Sequence, residues 1–495
     1  MKKPGGCRRS EPGSVVLDVL PINRLLPPRN ALFMGCAMTD TFSYETLKTL
    51  AESLGRPLGT LIALAGVNDP FYAGVASRRA NAEWFAEIWE RLDLSRRTQH
   101  LRRIHYILVS QTALIQFRDG KPYTNTQECW QYLCAASKDA RYLGLVPSNG
   151  FEDRRNPDPI LNLDRPRSAS LGVDGEDMCK VTYGLPSFPS LPDFVFIQPI
   201  IAQRYQIELW IEKSTMTADV LLPLALRYNL NLQGAIGEIS EIRCRQLVER
   251  AIASGRPVRI LYISDFDPGG MSMPVAAARK IEFELRKRGL DLDIQLRPVA
   301  LTHEQCVRYR LPRTPIKESE RRSSAFEERF GEGATELDAL EALHPRELSR
   351  ILEREVLCYY DDDLRDRTAE AVEEFESELG EIQDDAIEPY HDEIEALRQR
   401  HQDLDRRWTS QTKPLADEYR AIAERFNSIR QAITETLAAK APDLDAVDWP
   451  EADQGDEDED PLFDSNRDYV EQIDRYKKHQ GKPTGRRPRN GGSGG

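Results

Sequence analysis

RILYISDFDPGG, residues 259–270, joins a short apolar run to two acids and a sharp turn. The run ending at Ser264 has the length and composition of a buried strand. Successive side chains of an extended chain alternate sides, so Asp265 and Asp267 are expected to project together at the strand's C-terminal end. In open α/β sheets that edge is where ligands bind. Pro268-Gly269-Gly270 then turns the chain and lets backbone approach a phosphate closely. Neighbouring carboxylates repel one another unless a cation lies between them, and hard oxygen donors suit Mg²⁺. The plainer alternative is that the two aspartates cap a turn.

The flanking sequence supplies a sheet for this strand. Short β-rich runs at 208–211, 232–236, 258–263 and 294–299 alternate with helical patterns at 218–228, 241–253 and 275–288. Such alternation implies βαβ crossovers and a parallel sheet, with Gly255 and Gly289 closing two helices in the left-handed conformation. The first run ends in Glu212, which a parallel sheet places on the same edge as Asp265 and Asp267; its plainer partner is Lys213 or a nearby arginine. Upstream, a helix over 99–110, a second helix opened by a capping-box spacing at Asn125–Glu128 and running to Leu143, and a turn at Ser148-Asn149-Gly150 between extended pieces fit a winged-helix (CAP-like) unit. Downstream, apolar residues recur in steps of three and four from Val372 to Ile433, interrupted at Pro389 and Pro414, as in a helical or coiled-coil arm. The expected division is a helical region of unassigned role (1–92), the winged-helix unit (93–165), a linker (166–205), the α/β unit (206–357), the arm (358–440) and a disordered tail (441–495).

Composition narrows the function. The chain has 495 residues, net charge -14, and no apolar run long enough to span a bilayer, which needs about 20 residues. With no apolar stretch after the basic N-terminus, a cytoplasmic location is expected. Eight scattered cysteines form no CxxC pair and no zinc-ligand spacing, and are expected to be reduced. The acidity gathers between Asp361 and Asp464, ending in the run 451–460, whereas a basic tail at 486–489 and Gly-Gly-Ser-Gly-Gly close the chain. So acidic a protein does not coat nucleic acid over its whole surface. Residues 91–155 are locally basic, which makes Arg102, Arg103, Lys138 and Arg141 candidate DNA contacts, with 124–142 as the groove-facing helix. A merely solvated basic face is the alternative.

Glu212-Lys213 after one strand and Asp265-Phe266-Asp267-Pro268-Gly269-Gly270 after another resemble the Toprim domain, in the form found in the topoisomerase VI A subunit and its meiotic double-strand-break relatives. The stretch Thr335-Glu336-Leu337-Asp338-Ala339-Leu340 resembles the segment that closes that domain. The resemblance implies a Toprim domain at 206–357 holding Mg²⁺ on Glu212, Asp265 and Asp267, and a protein that cuts double-stranded DNA. It further implies that Tyr106, in Arg102-Arg103-Ile104-His105-Tyr106, is the nucleophile, with Arg103 and Glu212 assisting; His105 stands where the family has the first aromatic of a pair. Leu101, Ile104, His105 and Leu108 make the apolar stripe of this helix, leaving Tyr106 on its polar side beside the arginines. A homodimer is implied, pairing one protomer's tyrosine with the other's metal.

No GxxxxGK[ST] or GHKL-like motif is present, so an ATPase partner, GHKL or SMC-like, would act in trans. Other readings stay open. A hydrolytic Toprim nuclease of an SMC-like plasmid or phage defence complex would use water in place of Tyr106. A HAD-like phosphohydrolase also has DxD after a strand, but wants a small hydroxyl residue where Pro268 follows. A scaffold with a degenerate site is the non-enzymatic alternative.

Overall fold

The computed structural model describes residues 44–65, 67–68, 71–111, 115–175, 177–178, 185–212, 217–318, 320–408, 415–453 and 461–481. Lys213, Pro414, Cys7, Cys36, Cys179, the greater part of the acidic run (454–460), the basic tail and the closing glycine-serine stretch lie outside them. The fold is mixed α/β with a largely parallel sheet. It divides into two units, one formed by Pro166–Ile201 with Arg365–Pro450, the other by the described parts of Phe42–Arg165, Ala202–Leu364 and Glu451–Gly495.

In chain order the elements are α1 (Tyr44–Ser53), α2 (Ala76–Arg91), β1 (Gln99–His100), α3 (Leu101–Val109), α4 (Gln127–Tyr142), β2 (Phe151–Glu152), β3 (Ser170–Asp174) and β4 (Asp193–Ile197). Then come β5 (Gln206–Ile211), α5 (Leu222–Arg227), β6 (Asn231–Gly234), α6 (Glu241–Ser254), β7 (Val258–Ile263), α7 (Pro268–Arg288), β8 (Ile294–Ala300) and α8 (His303–Arg308). The chain ends with α9 (Ser323–Phe330), α10 (Leu337–Leu343), α11 (Glu347–Leu357), α12 (Leu364–Ile387), α13 (His391–Trp408), α14 (Ala416–Lys440), β9 (Phe463–Asp464) and α15 (Tyr469–His479).

The sheet has the order β6-β5-β7-β8-β9, parallel through β8, with β9 antiparallel at the edge. All residues of β5 and β7 are buried, as a parallel strand covered on both faces requires. Alternation divides them: Ile207, Leu209, Ile211, Leu261 and Ile263 face a core shared with α5, α10 and α11, while Trp210, Ile260 and Tyr262 face α6 and α7. Gly255 and Gly289 close α6 and α7 at φ 65° and 61°, as expected.

Three expectations change. The span 166–205 is not a bare linker: β3 and β4 pair antiparallel, and Val173 and Phe194 lie against the buried stripe of α14, including Tyr419, Phe426 and Ile433. The stripe residues read as a coiled-coil seam are thus buried within a helical unit that also contains this hairpin. The span 441–495 is not wholly disordered, since β9 pairs with β8 and α15 buries Gln472, Ile473 and Tyr476. In the region read as winged helix, α3 and α4 form, but Gln99 and His100, expected in the first helix, are strand β1, β2 pairs with it in parallel, and the hairpin-like bridge Gln116↔Pro122 lies between the helices. The N-cap of α4 is Thr126, whose side chain accepts from the Cys129 N–H at 3.3 Å, so the Asn125–Glu128 capping box does not form.

His479, at the end of α15, is half-buried with its Nε2 shut away from solvent; burial first, and then the charges of Arg329 and Arg475, lower its pKa to about 4. The unfolded chain therefore takes up this proton near pH 6.5 while the folded chain refuses it. Stability is expected to fall as pH drops from about 6.5 to 4, by as much as about 3 kcal/mol, from this group alone. Denaturant melts of the native chain and His479→Leu across that window check it: the substitution flattens the slope.

Candidate functional site

The C-terminal rim of the sheet assembles the three acids at the level of backbone. Ile211 of β5 lies opposite Ile263 of β7, and the Glu212 N–H donates to the Ile263 carbonyl at 3.1 Å, so Glu212 stands level with Ser264. Past Ser264 the chain stays extended: Asp265 and Asp267 are half-buried while Phe266 between them is buried, the alternation expected of them. Glu212 also lies close to the Tyr262 phenol, whose pKa burial and then this negative charge push well above its ordinary value.

Each aspartate holds a helix N-terminus. Asp267 is the N-cap of α7 and accepts from the Gly270 N–H at 2.6 Å. Asp265 Oδ1 accepts from the N–H of Leu337, the first residue of α10, at 2.7 Å. The capping alternative is therefore realised, and among the described residues no group of three or more His, Cys, Asp or Glu is arranged to hold a metal ion. The stretch Thr335–Leu340 meets the acids directly, since Thr335 and Phe266 exchange backbone hydrogen bonds of 2.9 Å.

Pro-Gly-Gly acts differently from expectation. Pro268 opens α7 at once, where its missing N–H costs nothing. The close approach is internal: a Cβ on Gly270 would lie 1.9 Å from the Asp265 carbonyl oxygen and 3.1 Å from Ser264 Oγ. Gly270→Ala is expected to drive the aspartate loop off the start of α7, destabilising the fold by about 1–3 kcal/mol. Gly269→Ala meets only side chains, Asp267 at 3.0 Å and Met273 at 3.6 Å, and is the milder comparison. Thermal melts of the two variants check the ordering.

Burial first, and then the negative charges of Asp265 and Glu320, push the Asp267 carboxyl above its usual range, against the lowering effect of the Gly270 N–H. A second carboxylate that sequence reading did not single out, Glu320, thus stands near the rim. Arg322 Nε and Nη2 donate to it at 2.7 and 2.9 Å, and the side-chain hydrogen bond from Arg322 holds it down at about 2. Glu238, in the loop after β6, pairs with buried Lys280. Both acids come from connections whose sequence carries no spacing signal linking them to DxD.

Tyr106 is half-exposed on α3, and among the described residues its phenol makes no hydrogen bond and its ring meets that of His105. Arg102 and Arg103, one turn earlier, are exposed with it, Arg102 lying over the Trp130 ring at 5.0 Å. His105 is buried, its Nδ1 2.6 Å from the Tyr123 hydroxyl and its Nε2 3.1 Å from Asn125 Oδ1, which makes it a packing residue.

Lys138 and Arg141 do not line an open groove. Lys138 sits 5.6 Å over the Tyr72 ring, with burial lowering its pKa, and Arg141 is paired with buried Glu241 and stacked at 4.9 Å on Phe151. The residues of α4 that face inward include Cys129, Leu133, Ala136, Asp139 and Ala140, so this helix is largely covered. Both cations serve internal packing, and the exposed part of 124–142 is chiefly its start, residues 124–128. Compared with models of known families and with curated proteins, the chain matches none. Among the described residues no helix is long and apolar enough to cross a membrane.

Proposed function

We propose that this chain is a Mg²⁺-dependent DNA strand-cleaving protein of the Toprim type, with a neighbouring winged-helix-like unit that presents a tyrosine. The observation carrying this reading is the parallel register that sets Glu212 level with Ser264, so that three carboxylates leave adjacent strands on one rim. In kind the donors suit the cation, since all three are hard carboxylate oxygens, although among the described residues they are not gathered into a metal-binding group. Glu212, Asp265 and Asp267 would hold Mg²⁺, which supplies Lewis acidity toward a phosphodiester oxygen.

The protein's own part is positioning. The positive end of α7 favours the ionised form of Asp267, while Arg102 and Arg103 are suited to hold a backbone phosphate beside the Tyr106 phenol. Attack of the phenolate on phosphorus would leave a tyrosyl-DNA ester and release the other strand end as a hydroxyl. A homodimer bringing one Tyr106 to the partner's rim fits the exposure of α3, and an ATPase of GHKL or SMC-like type would be supplied in trans.

One observation favours a second reading, hydrolysis by water as in a Toprim nuclease. No hydrogen bond activates the Tyr106 phenol among the described residues. Tyr106→Phe separates the two. On plasmid with Mg²⁺, transesterification predicts loss of cutting and of DNA that shifts on denaturing gels only before protease treatment. Undiminished cutting by the variant, with no protein-linked ends, assigns the reaction to water.

A further inference from the structure

The segment between β8 and α10 carries a feature that sequence reading passed over. It leaves the sheet at the rim, where Ser264 and Ala300 and then Leu301 and Ser264 are joined by backbone hydrogen bonds of 2.7 Å. It returns through Ala334 and Thr335, the latter bonded to Phe266. In between it is anchored on the rim: Thr314 and Ala334 exchange hydrogen bonds of 2.8 Å. The Phe266 ring stacks on His303 at 5.7 Å and meets Phe326 and Phe330 at 5.1 Å each, with the Arg313 guanidinium 5.4 Å above it. Arg322 reaches Ser272 on α7.

This overhang is basic in an acidic protein. Between positions 308 and 322 the sequence has six basic residues against two acids, and one of those acids, Glu320, is held by Arg322. Arg308, Arg310, Lys317 and Arg321 are all exposed, and among the described residues none of them forms an ion pair. Like charges gathered without counter-charges repel one another, and a polyanion relieves this while releasing its own counterions. Four exposed cations within a short stretch of chain, with no donor shown converging with another, suit the repeated phosphates of a nucleic-acid backbone better than a single small anion, which needs convergent donors.

We infer that Arg308, Arg310, Lys317 and Arg321 form a phosphate-binding overhang that holds the duplex DNA backbone beside the Glu212–Asp265–Asp267 rim. The inference rests on the proposed function for its substrate, and it supplies the footprint that Lys138 and Arg141, turned inward, do not.

The test is binding in EDTA, where cutting plays no part. The full chain is titrated onto a fluorescent duplex oligonucleotide at a series of NaCl concentrations. The variant Arg308→Gln, Arg310→Gln, Lys317→Gln, Arg321→Gln is expected to bind at least about tenfold more weakly at low salt, with a slope of log affinity against log salt shallower by about 2–3. Replacing the three arginines by lysine keeps the charge and restores the native slope. Should the quadruple variant melt early, the four single variants, each reducing the slope by up to about one, are read in the same way. Native affinity and slope in a quadruple variant that melts normally overturn the inference alone. A native chain that does not bind duplex DNA overturns the proposed function and the overhang's role with it.

Discussion

Glu212→Ala is expected to lower Mg²⁺-dependent strand cutting by about 10²–10³-fold, equivalent to about 3–4 kcal/mol of transition-state stabilisation. DNA binding in EDTA should be unchanged, because Glu212 is one half-buried acid at the rim and carries none of the positive charge that holds phosphate. Asp265→Asn is the informative companion. It keeps an oxygen for the Leu337 N–H, and therefore the start of α10, while removing the charge. Equal loss of cutting in both variants, with native melting temperatures, supports a shared cation. Full activity in either removes that residue from the site.

The second large effect is on stability. Glu208 in β5 is completely buried, yet burial, which raises its pKa, is outweighed by Arg250 and by hydrogen bonds, leaving the carboxyl below its ordinary range. Arg250 Nη2 and Nε donate at 2.8 and 3.1 Å, Gln206 at 2.7 Å, Asn231 at 3.0 Å and Trp210 Nε1 at 3.2 Å. Arg250→Ala strands this charge and is expected to cost about 3–5 kcal/mol. In the native protein a depressed carboxyl stabilises above its unfolded pKa, and that contribution is lost as pH falls through the folded value. In Arg250→Ala the dominant influence becomes burial, the folded pKa rises above the unfolded one, and the sign inverts: the variant loses stability as pH rises. Denaturant melts at pH 5 and 7 check it, and Glu208→Leu combined with Arg250→Met should recover much of the loss.

How far the sequence carried depends on which residues are considered. The run Val258–Ile263 forms a strand over those residues because six buried positions in a row leave little choice, and Gly255 and Gly289 mark real helix ends. The start of α7 was legible but misread: Asp267-Pro268 is an N-cap followed by N1, whereas the two glycines suggested a turn. The strand β9 was not legible, since Phe463-Asp464 is two residues long and follows an acidic run. The hairpin of β3 and β4 was missed because its strands are short and lie well apart in sequence. For the candidate site, residue types and strand ends could be read, but the helix N–H groups that the two aspartates accept from could not. Charge was the weakest guide: a count of cations over 91–155 says nothing of where Lys138 and Arg141 point, and it passes over the four exposed cations Arg308, Arg310, Lys317 and Arg321.

The closing of β8 by β9 bears on how the chain is made. Gln295 waits for Asp464, 169 residues later, so at ribosomal speeds the open flank of the sheet stands uncovered for roughly ten to thirty seconds of synthesis. An uncovered strand flank is a template for wrong pairing with other nascent chains. Yield of the full-length protein should therefore depend on chaperone supply and slow growth temperature, and a fragment stopping at residue 357 should precipitate even though it contains every proposed catalytic acid.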